Sequence, residues 1–293
     1  MSAIATETRA APAIRDLVAL TKPRVTALVI ATTAGGLWLA PGTVTLVKAL
    51  ATLLATSAVV GAANALNCWL ERDVDRHMSR TRNRPLPAGR LLPAHALWLG
   101  IVLAVISVPV LTLVASPMAG LLATVALVSY VGLYTPLKQR TPKALLVGAV
   151  PGALPPLIGW AAATGGIEAP GLALFGILFV WQIPHFLAIA MFRKEEYARA
   201  GIAVLPAVRG ERVTKIHAAL WAIVLVPVTL APAMLGLAGT AYIVVASVLG
   251  AAFVGIALAG LRPSAGRKWA RTLFFASLVY LPLIFISLVV DAG

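Results

Sequence analysis

The sequence predicts an all-α integral membrane protein that crosses the bilayer nine times, and three observations predict it. Apolar residues make up 60% of the 293 and charged residues only 12%, with a mean hydropathy of +0.93. A soluble domain carries roughly 25% charged and 45–50% apolar residues. The apolar residues also fall into runs of the length that a helix needs, about 20 residues for roughly 30 Å of hydrocarbon. Lipid offers the backbone no hydrogen bonds, so runs of this length are expected to be helices. Finally, basic residues gather after alternate runs.

The runs lie at 24–41, 46–70, 92–114, 118–136, 144–164, 170–192, 216–236, 240–261 and 272–290. Lys22 and Arg24 open the first, and the second runs into a polar stretch at 64–85. The third and fourth meet around Ser116 and Pro117, where small and turn-forming residues leave a short connection. In the fifth, Pro151-Gly152 and Pro155-Pro156 predict a kink that opens space for a substrate. The sixth contains Pro184 and ends at a charged patch, the seventh and eighth join tightly at 236–240, and the ninth completes the bundle. Neither a linker nor a low-complexity tract divides the chain, so residues 1–293 are expected to form one domain, with 1–20 as a cytoplasmic leader.

The net charge of +14 does not imply a nucleic-acid partner. Its bases sit in short loops between apolar runs, where membrane topology and lipid headgroups account for them. Six arginines lie between Arg72 and Arg90, three bases between Lys138 and Lys143, six between Arg193 and Lys215, and four between Arg262 and Arg271. The alternate loops carry only Lys48. The positive-inside rule then predicts a cytoplasmic N-terminus and an outside C-terminus, which requires an odd number of crossings. Glu7 and Asp16 among the first 20 residues argue against a secretory signal or a mitochondrial leader, so a bacterial plasma membrane is expected. The single cysteine, Cys68, lies in an apolar run and reads as a packing residue.

The chemistry concentrates where the second run ends. On a helix, Asn67, Glu71 and Asp75 recur every four residues and share one face, with Asn64 one turn earlier. Stacked oxygen ligands suit a hard cation such as Mg²⁺, and Mg²⁺ suits a phosphate-bearing substrate. Pairing with Arg72, Arg76 and Arg80 accounts for any single acid equally well. The whole stripe is harder to explain that way, because polar groups within an apolar segment are expensive. Asp73 points away from Glu71 and reads as a structural salt-bridge partner.

Two further patches share the basic side. Lys138 and Arg140 are candidates to neutralise a diphosphate, with Tyr134 donating a hydrogen bond to its leaving oxygen. After the sixth run come Trp181-Gln182-Ile183-Pro184-His185 and then Arg193, Lys194, Glu195 and Glu196. Glu196 reads as a further carboxylate for a metal ion, or as a solvated partner of the neighbouring bases. His185 reads either as a satisfied core histidine or as a ligand or proton-transfer group. Lys22, Arg24, Arg82, Arg84 and Arg193 are candidate anion-binding residues that topology explains equally well.

Together these residues give the chain a resemblance to the UbiA superfamily of intramembrane prenyltransferases. The likeness runs through Thr21-Lys22-Pro23-Arg24, Asn67-Cys68-Trp69-Leu70-Glu71-Arg72-Asp73-Val74-Asp75 and Tyr134-Thr135-Pro136-Leu137-Lys138. It continues through Pro155-Pro156-Leu157-Ile158-Gly159-Trp160 and Tyr197-Ala198-Arg199-Ala200-Gly201-Ile202. Arg80-Thr81-Arg82-Asn83-Arg84-Pro85-Leu86 and Trp181-Gln182-Ile183-Pro184-His185-Phe186 resemble the haem-modifying branch rather than the quinone enzymes. The chain departs from the family's usual pattern at Glu196, where Asp is common, and at Ala144, where Asn is common.

The resemblance implies a nine-helix UbiA-type bundle with a cytoplasm-facing catalytic chamber. It also implies transfer of the farnesyl group of farnesyl diphosphate to a vinyl group of haem B, with addition of water, giving haem O. Mg²⁺ would be held by Asn67, Glu71, Asp75 and Glu196, while Lys138 and nearby arginines stabilise the departing diphosphate. Arg82 or Arg84 would meet the haem propionates, and His185 would face the iron or direct water. A haem A synthase is the implied partner. Two other readings stand beside this one, a prenyltransferase with a quinone-type or chlorin acceptor and an organic-anion transporter. A transporter would be expected to carry polar groups on both sides of the midplane, whereas here nearly all ionisable residues lie on one side.

Overall fold

The computed structural model describes residues 13–292. It is helical, with no strand among the described residues. The helices are α1 (Ile14–Leu20), α2 (Pro23–Leu39), α3 (Leu46–Asp75), α4 (Pro93–Val110), α5 (Pro117–Val128), α6 (Thr135–Leu137) and α7 (Ala144–Thr164). They continue with α8 (Ala169–Phe192), α9 (Lys194–Arg199), α10 (Leu205–Val208), α11 (Glu211–Met234), α12 (Thr240–Ala259) and α13 (Arg267–Val290). Wider π-helical turns at Leu111–Ala115 and Ser129–Tyr134 extend α4 and join α5 to α6. Among the described residues, eight helical segments are long and apolar enough to cross a bilayer, and α1 with α2 makes a ninth when the bent pair is one crossing.

That bent pair refines the expected first run. Pro23 has no N–H with which to continue a helix, and it disfavours helical backbone at the residue before it. Lys22 lies outside the right-handed helical region at φ 51°, the only non-glycine positive φ among the described residues, and the two helices meet at 53°. Part of the expected leader is therefore the helix α1, and residues 1–12 lie outside the described residues. α1 rests on α3 and α4. Its Leu20 packs with Ala65, Cys68, Leu86 and Leu91, and its buried Asp16 accepts hydrogen bonds from Arg90 Nε at 3.1 and 3.2 Å. Cys68 is thus buried in an apolar cluster.

α3 has 30 residues, about 45 Å at 1.5 Å per residue. It outruns roughly 30 Å of hydrocarbon, so its last turns, which carry Glu71 and Asp75, reach the level of the basic loops. α7 and α8 are the most enclosed of the long helices. One apolar cluster gathers α8, α11, α12 and α13 around Leu174, Ile177, Leu225, Leu273 and Ile284. Another joins α3, the α4–α5 region and α7 around Val59, Leu111, Ala119, Leu157 and Ile158.

Lipid is as apolar as leucine, so helices in it associate through close packing and small residues. α2 crosses α7 on Gly36 and Gly159. A Cβ at Gly36 would collide with the backbone of Pro156, and one at Gly159 would come 2.9 Å from Leu37 N. Large apolar side chains such as Trp38, Leu54, Val105 and Leu113 face outward, as a lipid-facing surface requires.

Candidate active site

The helical period of α3 brings Asn67, Glu71 and Asp75 onto one buried face, at 2%, 3% and 1% exposure. Three bases from three different connections meet them. Lys22, at the break between α1 and α2, donates from Nζ to Asn67 Oδ1 at 3.0 Å. Lys138, just after α6, forms an ion pair with Glu71. Arg84, in the α3–α4 loop, donates from Nη1 to Asp75 Oδ2 at 2.7 Å. The loop is itself tied to the stripe, since Thr81 Oγ1 donates to the Asp75 carbonyl at 2.7 Å.

The π-helical turn before α6 is part of the same construction. Pro136 has no N–H with which to continue an α-helical ladder, and a widened turn accommodates that gap. Thr135 Oγ1 donates to the Tyr130 carbonyl at 2.8 Å. The same oxygen accepts from Asn67 Nδ2 at 3.1 Å, so Asn67 is held from both sides. Tyr134 ends this turn, its ring centre 5.8 Å from Lys138 Nζ and 5.3 Å from that of Tyr130.

The donor set fits a hard cation. Asp75 Oδ1 is buried without a hydrogen-bond partner, and Glu71 Oε1 has only its ionic contact with Lys138. Buried carboxylate oxygens left this way are costly, and an all-oxygen set of Asn67, Glu71 and Asp75 is the chemistry that Mg²⁺ takes. Among the described residues, no three His, Cys, Asp or Glu side chains converge as a ready cluster. Glu196, the fourth expected ligand, stands in a network of its own. Its Oε1 accepts from Ser79 Oγ at 3.1 Å and from the Arg80 N–H at 3.3 Å, and its Oε2 accepts from Arg193 Nη1 at 2.7 Å. Burial opposes ionisation of Glu196, but these hydrogen bonds outweigh it and hold the carboxyl below its ordinary range. Glu196 therefore clamps the start of α9 to the α3–α4 loop.

His185 lies deeper, on α8. It stacks on Trp181 with centroids 4.8 Å apart and lies 5.0 Å from Phe274. Ser277 Oγ donates to the Phe274 carbonyl at 2.6 Å, so its oxygen accepts the Nδ1–H of His185 at 2.7 Å. With Nδ1 donating, Nε2 is left as the acceptor nitrogen. Trp181 Nε1 also donates to the Ser277 carbonyl, at 2.9 Å, which locks α8 to α13.

The structure thus gathers Lys22, Asn67, Glu71, Asp75, Arg84, Tyr134 and Lys138, and gives Glu196 with Arg193 and His185 separate neighbourhoods. Arg24, Arg82 and Arg140 are exposed. Asp73 pairs with Arg72 and Arg76 on the outer face of α3, as the spacing predicts. Thr135, Ser79, Ser277 and Phe274 were not singled out as site residues from the sequence. Thr135 and Ser277, small hydroxyls in apolar runs, offer only a weak local signal, and Ser79 and Phe274 offer none.

Fold and site together define an intramembrane prenyltransferase. The chain belongs to the UbiA prenyltransferase family, whose profile matches residues 28–279. It is 56% identical over 231 residues to a protoheme IX farnesyltransferase of Anaeromyxobacter dehalogenans (strain 2CP-C), covering 79% of this chain and 78% of that protein. A protein of the same name from Anaeromyxobacter sp. (strain Fw109-5) is 58% identical over 228 residues, covering 78% and 77%. One from Myxococcus xanthus (strain DK1622) is 56% identical over 228 residues, covering 78% of each. The fold matches a solved digeranylgeranylglyceryl phosphate synthase with TM-score 0.81 at 16% identity, over 95% of this chain and 98% of that one. It also matches a UbiA homologue from Archaeoglobus fulgidus bound to GPP and Mg²⁺, with TM-score 0.66 at 16% identity over 93% and 99%.

Proposed function

We propose that this chain transfers the farnesyl group of farnesyl diphosphate to a vinyl group of haem B, with addition of water, giving haem O and diphosphate. The observation that carries this reading is the convergence of Lys22, Arg84 and Lys138, from three separate connections, on the buried Asn67/Glu71/Asp75 stripe. The acceptor follows from the likeness to farnesyltransferases of protoheme IX.

The farnesyl C1–oxygen bond breaks with its electron pair leaving on the diphosphate, and the allylic cation is attacked by the vinyl carbon. Water adds to the cation that results and loses a proton, leaving a hydroxyethylfarnesyl group. Lys138 and Arg84 stand where they stabilise the leaving diphosphate, and Tyr134 donates a hydrogen bond to its departing oxygen. Lys22 fixes Asn67. Mg²⁺, held by Asn67, Glu71 and Asp75, supplies charge neutralisation for the diphosphate when bound. Glu196 and Arg193 hold the loop that carries Arg84, and Glu196 becomes a further ligand if its clamp opens. Arg24, Arg82 and Arg140 form a basic rim that draws anionic substrates inward. His185, through Nε2, accepts the proton of the attacking water. Apolar helix walls keep bulk water from the allylic cation.

The protein is multi-pass, and the one-sided distribution of basic loops supports a bacterial plasma membrane with a cytoplasmic N-terminus and an outside C-terminus. A haem A synthase is the partner suited to the product. Mass analysis of haems extracted from membranes expressing the chain tests the whole reading. Haem O is expected with the intact chain and absent with Asp75→Asn. Haem O unaffected by the variant removes Asp75 from the machinery, and its absence from a well-expressed intact chain points to a quinone-type acceptor.

A further inference from the structure

The stripe accounts for the diphosphate but leaves the acceptor's two carboxylates without a partner. Arg84, a candidate for them, pairs with Asp75 on the diphosphate stripe, and Arg82 is exposed without a side-chain partner among the described residues. A concavity of about 520 Å³ opens on the basic face, between the end of α8, the start of α9 and the first turns of α13. Ligand pockets commonly measure roughly 300–1,000 Å³. Its lining includes five arginines against two glutamates. Two of those arginines, Arg193 and Arg80, flank the Glu196 clamp that joins this concavity to the α3–α4 loop.

α13 lines it in a graded order. Arg267 and Arg271 lie one turn apart on the same helix face. Next come Phe274 and Phe275, and one turn deeper Ser277 holds His185. From Arg267 to Ser277 this wall is about 15 Å long at 1.5 Å per residue. Phe192 adds a further ring, 5.6 Å from Phe274 and perpendicular to it. Arg267 makes one hydrogen bond, from Nη2 to the Phe192 carbonyl at 3.1 Å. Arg271 makes no side-chain hydrogen bond or ion pair among the described residues, so its guanidinium is available to a ligand.

We propose that Arg267 and Arg271 bind the haem propionates, and that the macrocycle lies along the aromatic wall of α13 with its apolar edge toward His185. A metal-bound diphosphate belongs to a buried acidic stripe with orphaned oxygens. A flat apolar ring with two carboxylates on one edge belongs to a wall with paired arginines at its mouth and aromatics below. The two substrates then enter from the same basic face, on either side of the Glu196 clamp. Planar guanidinium groups suit carboxylates because they donate two parallel hydrogen bonds.

This rests on haem B being the acceptor, and the test separates the two ideas. Purified full-length protein in lipid nanodiscs is titrated with haem B and with its dimethyl ester, following the Soret band. The intact chain should prefer the free acid. Arg267→Gln/Arg271→Gln should weaken haem B binding about tenfold, leave ester binding unchanged, and leave the KM for farnesyl diphosphate unchanged. Arg267→Lys/Arg271→Lys should keep much of the preference. Equal losses for acid and ester, or a raised KM for farnesyl diphosphate alone, would overturn the assignment. If the glutamine variant binds both haem forms as the intact chain does, the propionates lie elsewhere, and the haem reading itself survives. Failure of the intact chain to bind haem at all overturns both.

Discussion

Breaking one partner of a buried ion pair costs more than the pair contributes, because it strands the other charge in a poor solvent. Glu71 and Lys138 make this the sharpest residue-scale test of the site, with side chains 4% and 17% exposed. Lys138→Met should destabilise the protein by about 3 kcal/mol, the low end of the range for a buried pair because Lys138 keeps some access to water. Adding Glu71→Gln should recover most of that stability by removing the stranded charge. Turnover should stay lost in the double variant, because neither the diphosphate partner nor the metal ligand is restored. Thermal melts in detergent beside turnover in membranes read the two effects separately. Recovery of turnover along with stability would make the pair a scaffold rather than machinery. The unusual backbone of Lys22 belongs at this scale too. A lysine held at φ 51° is strained, and the strain coincides with delivery of its amine to Asn67.

At the scale of elements, the crossing of α2 and α7 sets how closely the two halves of the bundle approach. Gly36 and Gly159 face opposing backbone rather than flexible side chains, so a substitution has nothing soft to displace. Gly36→Ala should destabilise by roughly 1–3 kcal/mol as an overpacked contact, and Gly159→Leu by more. The melting temperature in detergent should fall in that order, whereas Gly132→Ala should leave it nearly unchanged, since a Cβ there meets nothing. Equal melting temperatures for all three would show that the crossing is looser than the contacts imply. Neither glycine announces itself in the sequence, because a close approach is a relation between two helices. The stripe on α3 was legible because its period is local, and so were the apolar runs. The pairing of that stripe with Lys22, Arg84 and Lys138 was not, because the partners lie up to 67 residues away from Glu71 along the chain. The clamp around Glu196 was hidden for the same reason. Its composition suits a metal, but Ser79 and Arg80, which claim it, come from another loop.

For the whole molecule, the distribution of charge makes a claim that geometry alone does not. The bases of the 76–92, 138–143, 193–215 and 260–271 segments follow alternate crossings, and the positive-inside rule predicts that this face is cytoplasmic. Both proposed anion-binding regions lie on it, so both proposed substrates would arrive from the same side. The single native cysteine helps to test this, because Cys68 is 4% exposed and should react little with a membrane-impermeant maleimide. In intact cells, Ser264→Cys, at an exposed position between α12 and α13, should be protected until the membrane is permeabilised. Thr43→Cys, exposed between α2 and α3, should label from outside at once. The reverse pattern would turn the chamber to the exterior, where an intracellular diphosphate could not reach it, and would overturn the proposed reaction along with the orientation.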